Sequence, residues 1–310
     1  MNNNIVVNIK KLKIKKNAVL LSHFYQLPEV QNIADYVGDS YGLAKKAIDI
    51  KADIIIFAGV KFMAETAKIL NPDKKVLLPN LEAGCSLADS CKYKDFKKFK
   101  KKHPYYVVIT YINTTAEIKS LSDIICTSSN AVEIVNSLPK DQKIIFAPDK
   151  NLGNYVSRIT GRKMVLWDGV CHVHNQLHVK KVIEMKKKYK SALILAHPEC
   201  QGTILNIADF VGSTSQMIDY TKLSDGKEFI IATETGIIHK MQENSPKKKF
   251  YIVPADENCA CNDCEYMKMI NLKNILYSIK NEVFEISLDA ELIEKARKPI
   301  LKMMEIVEKY

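Results

Sequence analysis

Asn32-Ile33-Ala34-Asp35-Tyr36-Val37-Gly38 recurs as Asn206-Ile207-Ala208-Asp209-Phe210-Val211-Gly212, with Phe for Tyr as the one change. Each copy begins nine residues after a histidine that closes an apolar run, His23 and His197, and is followed two residues later by a hydroxyl, Ser40 and Thr214. A repeat of this kind marks duplicated structural units rather than one long sheet. A weaker middle copy starts where Tyr111 closes an apolar run, and Ser122-Asp123-Ile124-Ile125 reads as the counterpart of Ala52-Asp53-Ile54-Ile55. A cysteine follows each run end at a comparable distance: Cys85 lies 62 residues after His23, Cys171 60 after Tyr111 and Cys264 67 after His197.

Around these copies, short β-branched runs alternate with helical patterns. The runs are 18–22, 53–57, 76–79, 106–110, 124–127, 144–147, 164–167, 192–196, 229–232 and 250–253. Such continuous apolar runs read as strands buried on both faces, separated by enough chain for crossover helices, which predicts parallel α/β sheets. The expected architecture is three related α/β/α units arranged about a pseudo-threefold axis. They span 1–103 with His23 and Cys85, 104–190 with Tyr111 and Cys171, and 191–288 with His197 and Cys264; a C-terminal closing helix over 289–310 is kinked or broken at Pro299. The lysine-dense stretch from Lys92 to Lys102 reads as a solvated helix with Phe96 and Phe99 on its underside.

Of 310 residues, 47% are hydrophobic and 26% charged, which excludes a disordered or fibrous chain. The formal charge is +11, but Arg158, Arg162 and Arg297 are the only arginines, so the excess is lysine. That balance suits small anionic substrates, or a lysine-rich proteome, better than nucleic acid, which is usually held by Arg forks as well. No run reaches the roughly 18 apolar residues of a membrane span. The start runs from Ile5-Val6-Val7 into lysines without a signal core, so the expected location is cytoplasmic, where eight cysteines point to metal, catalysis or inert burial before disulfides.

In parallel α/β sheets ligands lie off the carboxyl ends of the strands. His23, Tyr111 and His197 occupy that place, and three units around an axis would aim them into one cavity, with three thiols converging nearby. Three cysteines from distant segments suit an iron–sulfur cluster with one iron unclaimed by protein, free to act as a Lewis acid. Cys261-Asn262-Asp263-Cys264 is also a CxxC, compatible with zinc completed by His172 or His174, or with a redox pair; Cys91, Cys126, Cys200 and Cys259 have no evident partner. Ser40, Ser128 and Thr214 precede helical patterns, as caps or as an anion site. Tyr25 and Glu199, each two residues past a histidine, suit acid–base work. Gly59 and Gly153 are isolated, and no phosphate-cradling glycine motif exists.

Several stretches together resemble the quinolinate synthase family of NAD biosynthesis. They are Ser22-His23-Phe24-Tyr25-Gln26-Leu27-Pro28-Glu29-Val30-Gln31, Gly59-Val60-Lys61-Phe62-Met63-Ala64-Glu65-Thr66-Ala67, Glu82-Ala83-Gly84-Cys85-Ser86, Tyr111-Ile112-Asn113-Thr114-Thr115, Cys171-His172-Val173-His174, His197-Pro198-Glu199-Cys200 and Cys264-Glu265-Tyr266-Met267-Lys268. The resemblance implies condensation of iminoaspartate with dihydroxyacetone phosphate to quinolinate, with loss of phosphate and water. It implies one 4Fe–4S cluster on Cys85, Cys171 and Cys264, and substrate contacts from His23, Ser40, Tyr111, Asn113, Ser128, His197, Glu199 and Thr214. It further implies proton handling by Tyr25, His174 and Glu199, and iminoaspartate supplied by L-aspartate oxidase or dehydrogenase, with no nucleic-acid or membrane partner. Phe24 and Asn175 depart mildly from the family pattern. The competing expectations are a hydro-lyase acting on another small anion, and a non-enzymatic redox or metal sensor built on Cys261 and Cys264.

Overall fold

The computed structural model describes residues 2–255 and 262–309. Three four-stranded sheets, all parallel, follow one another along the chain. The first holds β1 (Ala18–His23), β2 (Tyr36–Gly38), β3 (Ile54–Ala58) and β4 (Lys75–Leu77). The second holds β5 (Val107–Tyr111), β6 (Ile124–Cys126), β7 (Ile144–Ala147) and β8 (Val165–Leu166). The third holds β9 (Leu193–Ala196), β10 (Phe210–Val211), β11 (Glu228–Ala232) and β12 (Lys249–Ile252). Each sheet has the order second, first, third, fourth strand, so the expected mixed α/β architecture with three parallel units is present.

The repeated heptapeptide has a defined task in this topology. In the first unit the Asp35 carboxylate accepts the N–H of Leu20 at 2.7 Å, while the Asp35 N–H donates to the Leu20 carbonyl at 2.9 Å. The same two-way clamp joins Asp123 to Val108 and Asp209 to Ile194. Each aspartate thus locks the short edge strand that follows it onto the first strand of its sheet, where a two- or three-residue ladder alone would be weak. Asp123 therefore corresponds to Asp35 and Asp209, not to Asp53 as the local sequence suggested: Asp123 leads into the edge strand β6, whereas Asp53 leads into the inner strand β3. The edge strands β2 and β10 lie within the repeat itself and are too short to display a strand period.

The first two sheets share one core, with Leu20, Ile55, Ile109 and Phe146 fully buried; the faces of the third carry separate clusters around Ile194 and Phe229. The helix Leu272–Asn281 returns to pack on the N-terminal helix Asn2–Lys15 and on β3. The helix Ala290–Val307, capped by Asp289, runs unbroken through Pro299 and lies along β6 and the helix Lys61–Leu70, burying Ala296, Ile300 and Met303. Apolar contact on that one face holds the helix together despite the missing proline N–H. The helix Tyr93–Lys101 buries Phe96 and stacks Phe99 and Trp167 edge to face beneath its lysines.

Replacing Asp123 by Ala removes a carboxylate–amide bond from a strand end and should lower unfolding stability by about 1–2 kcal/mol. Asp123→Asn, which keeps an acceptor oxygen, should lose less. Denaturant midpoints of the two variants check this, and an unchanged midpoint for Asp123→Ala would contradict the clamp.

Candidate active site

The carboxyl ends of the three sheets open on one cavity. His23, Tyr25, Ser40, Cys85, Tyr111, Asn113, Ser128, Cys171, His174, His197, Glu199, Thr214 and Cys264 all line it. Every residue singled out from the sequence as a candidate site residue is therefore brought to one place. Cys91, Cys126 and Cys200 are instead buried elsewhere in the cores. Cys259 and Cys261, and with them the CxxC pairing, lie outside the described residues.

The two histidines are held alike. The His23 Nδ1 accepts the N–H of Tyr25 at 3.1 Å, and the His197 Nδ1 accepts that of Glu199 at 3.4 Å. A ring nitrogen that accepts a backbone N–H leaves the proton on the other nitrogen, so each neutral imidazole offers an Nε2–H donor. The His197 Nε2 lies 3.2 Å from the Ser128 hydroxyl. Burial holds both rings down to about pKa 3, with nearby His197 and Lys268 adding to the effect at His23.

Ser40 and Thr214 are the first residues of the helices Ser40–Ile48 and Thr214–Leu223, but the caps are the residues before them. Asp39 accepts the Gly42 N–H, and Ser213 forms a capping box with Gln216. Neither the Ser40 nor the Thr214 hydroxyl bonds another described residue, so both are free to face a ligand beside a helix N-terminus. Among the described residues, no lysine or arginine lines the cavity. Lys119 and Lys268 stand behind the wall. The buried Lys119 donates to the carbonyls of Ile112 and Thr114, which bracket Asn113; Lys268 donates to the Tyr25 carbonyl at 2.6 Å. The Asn113 Oδ1 and Glu199 Oε1 are buried without a hydrogen-bond partner among the described residues, as expected of groups that await a ligand or water.

A hydrogen-bonded chain crosses the cavity wall. The Glu199 Oε2 lies 2.7 Å from the His174 Nδ1; the His174 Nε2 lies 2.8 Å from the Thr233 hydroxyl, which lies 2.6 Å from the Tyr25 hydroxyl. Burial alone would raise the Glu199 carboxyl, but His174, His197 and Tyr111 together hold it below the usual carboxylate value. Burial also holds Tyr25 well above the usual phenol value, so it is a neutral phenol. Thr233 was not legible as a site residue: it is a lone hydroxyl after an apolar strand, and its role exists only through partners 208 and 59 residues away.

Each cavity cysteine opens a four-residue helix: Cys85 precedes Ser86–Asp89, Cys171 precedes His172–Asn175 and Cys264 precedes Glu265–Lys268. Burial pushes the Cys85 thiol up to about 12 and Cys264 up to about 11, and holds Cys171 well above the ordinary thiol value. As free thiols these groups are neutral; as thiolates they need a cation, so the donor set fits a thiolate-ligated metal group. Cys171, His174 and Glu199 also have ligand atoms within 4.8 Å of one another and could hold a metal ion, although both nitrogens of His174 are already in hydrogen-bond contact.

Comparison with known proteins gives a consistent result. The family model described as NadA, quinolinate synthetase A protein, matches residues 7–305. A quinolinate synthase of Synechocystis sp. is 55% identical over 300 residues, covering 97% of this chain and 94% of the relative. One from Chloroherpeton thalassium is 55% identical over 299 residues, covering 96% and 93%, and one from Microcystis aeruginosa is 54% identical over 298 residues, covering 96% and 93%.

His23 and His197 are neutral when folded and take a proton near pH 6.5 when unfolded. Their contribution to stability is therefore complete above pH 6.5 and is lost as the pH falls from there toward 3. In histidine-labelled protein followed by NMR, neither ring should titrate between pH 5 and 8. A midpoint near 6.5 at either ring would refute the buried neutral assignment.

Proposed function

Because the chain belongs to the quinolinate synthetase A family, we propose that it condenses iminoaspartate with dihydroxyacetone phosphate to form quinolinate, releasing phosphate and water. It is an enzyme of NAD biosynthesis. The observation that carries the finer reading is the meeting of three thiols from three sheets beside two imidazole donors in one cavity.

Cys85, Cys171 and Cys264 would hold a 4Fe–4S cluster, one thiolate from each unit. When bound, the cluster supplies an iron with an open position that polarises a substrate oxygen or nitrogen. The chain's own groups do the rest. The Nε2–H donors of His23 and His197, the hydroxyls of Ser40, Ser128, Thr214 and Tyr111, and the Asn113 amide clamp carboxylates and phosphate. They do so through neutral donors and helix starts, which bind anions without the screening water that exposed lysines keep. The ionised Glu199 takes the Nδ1–H of His174. The His174 Nε2 accepts a hydrogen bond from the Thr233 hydroxyl, and the Thr233 oxygen accepts from Tyr25. With donors in that order, a proton taken up at Tyr25 passes through Thr233 and His174 to Glu199, so protons stay within one connected wall during ring closure and dehydration.

No helix among the described residues is long and apolar enough to cross a membrane. The proposed setting is the cytoplasm, with iminoaspartate delivered by an L-aspartate oxidase or dehydrogenase.

Purified without oxygen, the wild type should carry iron and sulfide and consume both substrates. Cys85→Ala, Cys171→Ala and Cys264→Ala should each lose iron and activity together; full iron in any one would remove that cysteine from the ligand set. Glu199→Gln should keep iron and lose turnover. Thr233→Val should lower kcat by about tenfold or more with KM little changed, and Thr233→Ser should restore most of it. Wild-type kcat in Thr233→Val would show that the chain through Thr233 is idle.

A further inference from the structure

The three cysteine loops are docked by one repeated backbone bond. The residue three past the end of β3, β7 and β11 donates its N–H to the carbonyl two residues before each cysteine. Lys61 bonds Ala83 and Lys150 bonds Gly169, both at 2.8 Å, and Thr235 bonds Asn262 at 3.3 Å. The residue just before each of these donors, at the floor of the loop, is Val60 in the first unit, Asp149 in the second and Glu234 in the third.

Asp149 and Glu234 are fully buried. The Asp149 Oδ1 accepts the Leu152 N–H at 2.8 Å, capping the helix Lys150–Thr160, and its Oδ2 accepts the Cys171 N–H at 3.1 Å. The Glu234 Oε1 accepts the Cys264 N–H at 3.1 Å and pairs with Lys268 at 2.8 Å, and its Oε2 accepts the Gly236 N–H at 2.7 Å. Val60 has nothing to offer the Cys85 N–H, which bonds no described residue. A helix cap needs one oxygen, and burying a carboxylate is costly unless its remaining acceptors are used. One Asp149 oxygen goes to its helix cap and one Glu234 oxygen to the Gly236 amide, and in both units the other oxygen meets the amide of a cysteine.

We propose that Asp149 and Glu234 are positioning residues that brace the backbone of Cys171 and Cys264, so that two of the three thiol loops are fixed before a metal group arrives while the Cys85 loop adjusts to it. This rests on the reading that the three cysteines hold an iron–sulfur cluster.

The test uses the full-length chain loaded with iron and sulfide under anaerobic conditions, with iron release to a chelator as the readout. Asp149→Ser keeps a helix-capping hydroxyl but cannot also reach Cys171, and Glu234→Gln replaces one acceptor oxygen with a donor. Both should release iron about fivefold faster than wild type or more, with an altered electron-resonance signature of the reduced cluster. Amide exchange on the wild-type chain supplies a reading that needs no variant: the Cys171 and Cys264 amides should be protected and the Cys85 amide should exchange faster. Wild-type release rates and spectra in both variants, or equal exchange at all three amides, would overturn the brace. A wild type that takes up no iron would instead overturn the cluster reading, and this proposal with it.

Discussion

Partly buried thiols whose surroundings disfavour charge ionise beside a cation, and the fold brings three of them to line one cavity. Much of the architecture answers that constraint. Three sheets of equal strand order are needed so that three loops of equal origin can meet. Each loop then turns into a four-residue helix that begins directly after its cysteine.

The same economy governs the rest of the cavity. Its described lining holds no lysine, and Glu199, one of the carboxylates in it with Asp39 and Glu234, is tied to His174 and through Thr233 to Tyr25. Cations stand one layer back, where Lys119 fixes the loop around Asn113 and Lys268 fixes the carbonyl of Tyr25.

The overall plan was largely legible because the repeat had kept its aspartate. Asp35 and Asp209 sit in nearly identical heptapeptides and clamp equivalent strands, so the unit spacing could be read directly. In the middle unit the flanking residues have diverged, and Asp123 was matched to Asp53 by local likeness although its hydrogen bonds pair it with Asp35 and Asp209. Strands of two or three residues, as in β2 and β10, carry no period to detect. The cavity residues at the ends of first strands were readable for the same reason as the repeat. Asp149, Thr233 and Glu234, after the third strands, were not, because each acts through a partner in another segment of the chain. Ser40 and Thr214 were placed correctly at helix starts, but capping falls to Asp39 and Ser213, which only backbone geometry distinguishes.

Anaerobic crystals illuminated on either side of the iron absorption edge would test the central claim most directly. The account predicts one compact group of anomalous iron peaks bounded by the sulfurs of Cys85, Cys171 and Cys264, with one iron facing His23 and His197 and touching no protein atom. Iron bound instead by Cys171, His174 and Glu199, with Cys85 and Cys264 left as free thiols, would contradict it.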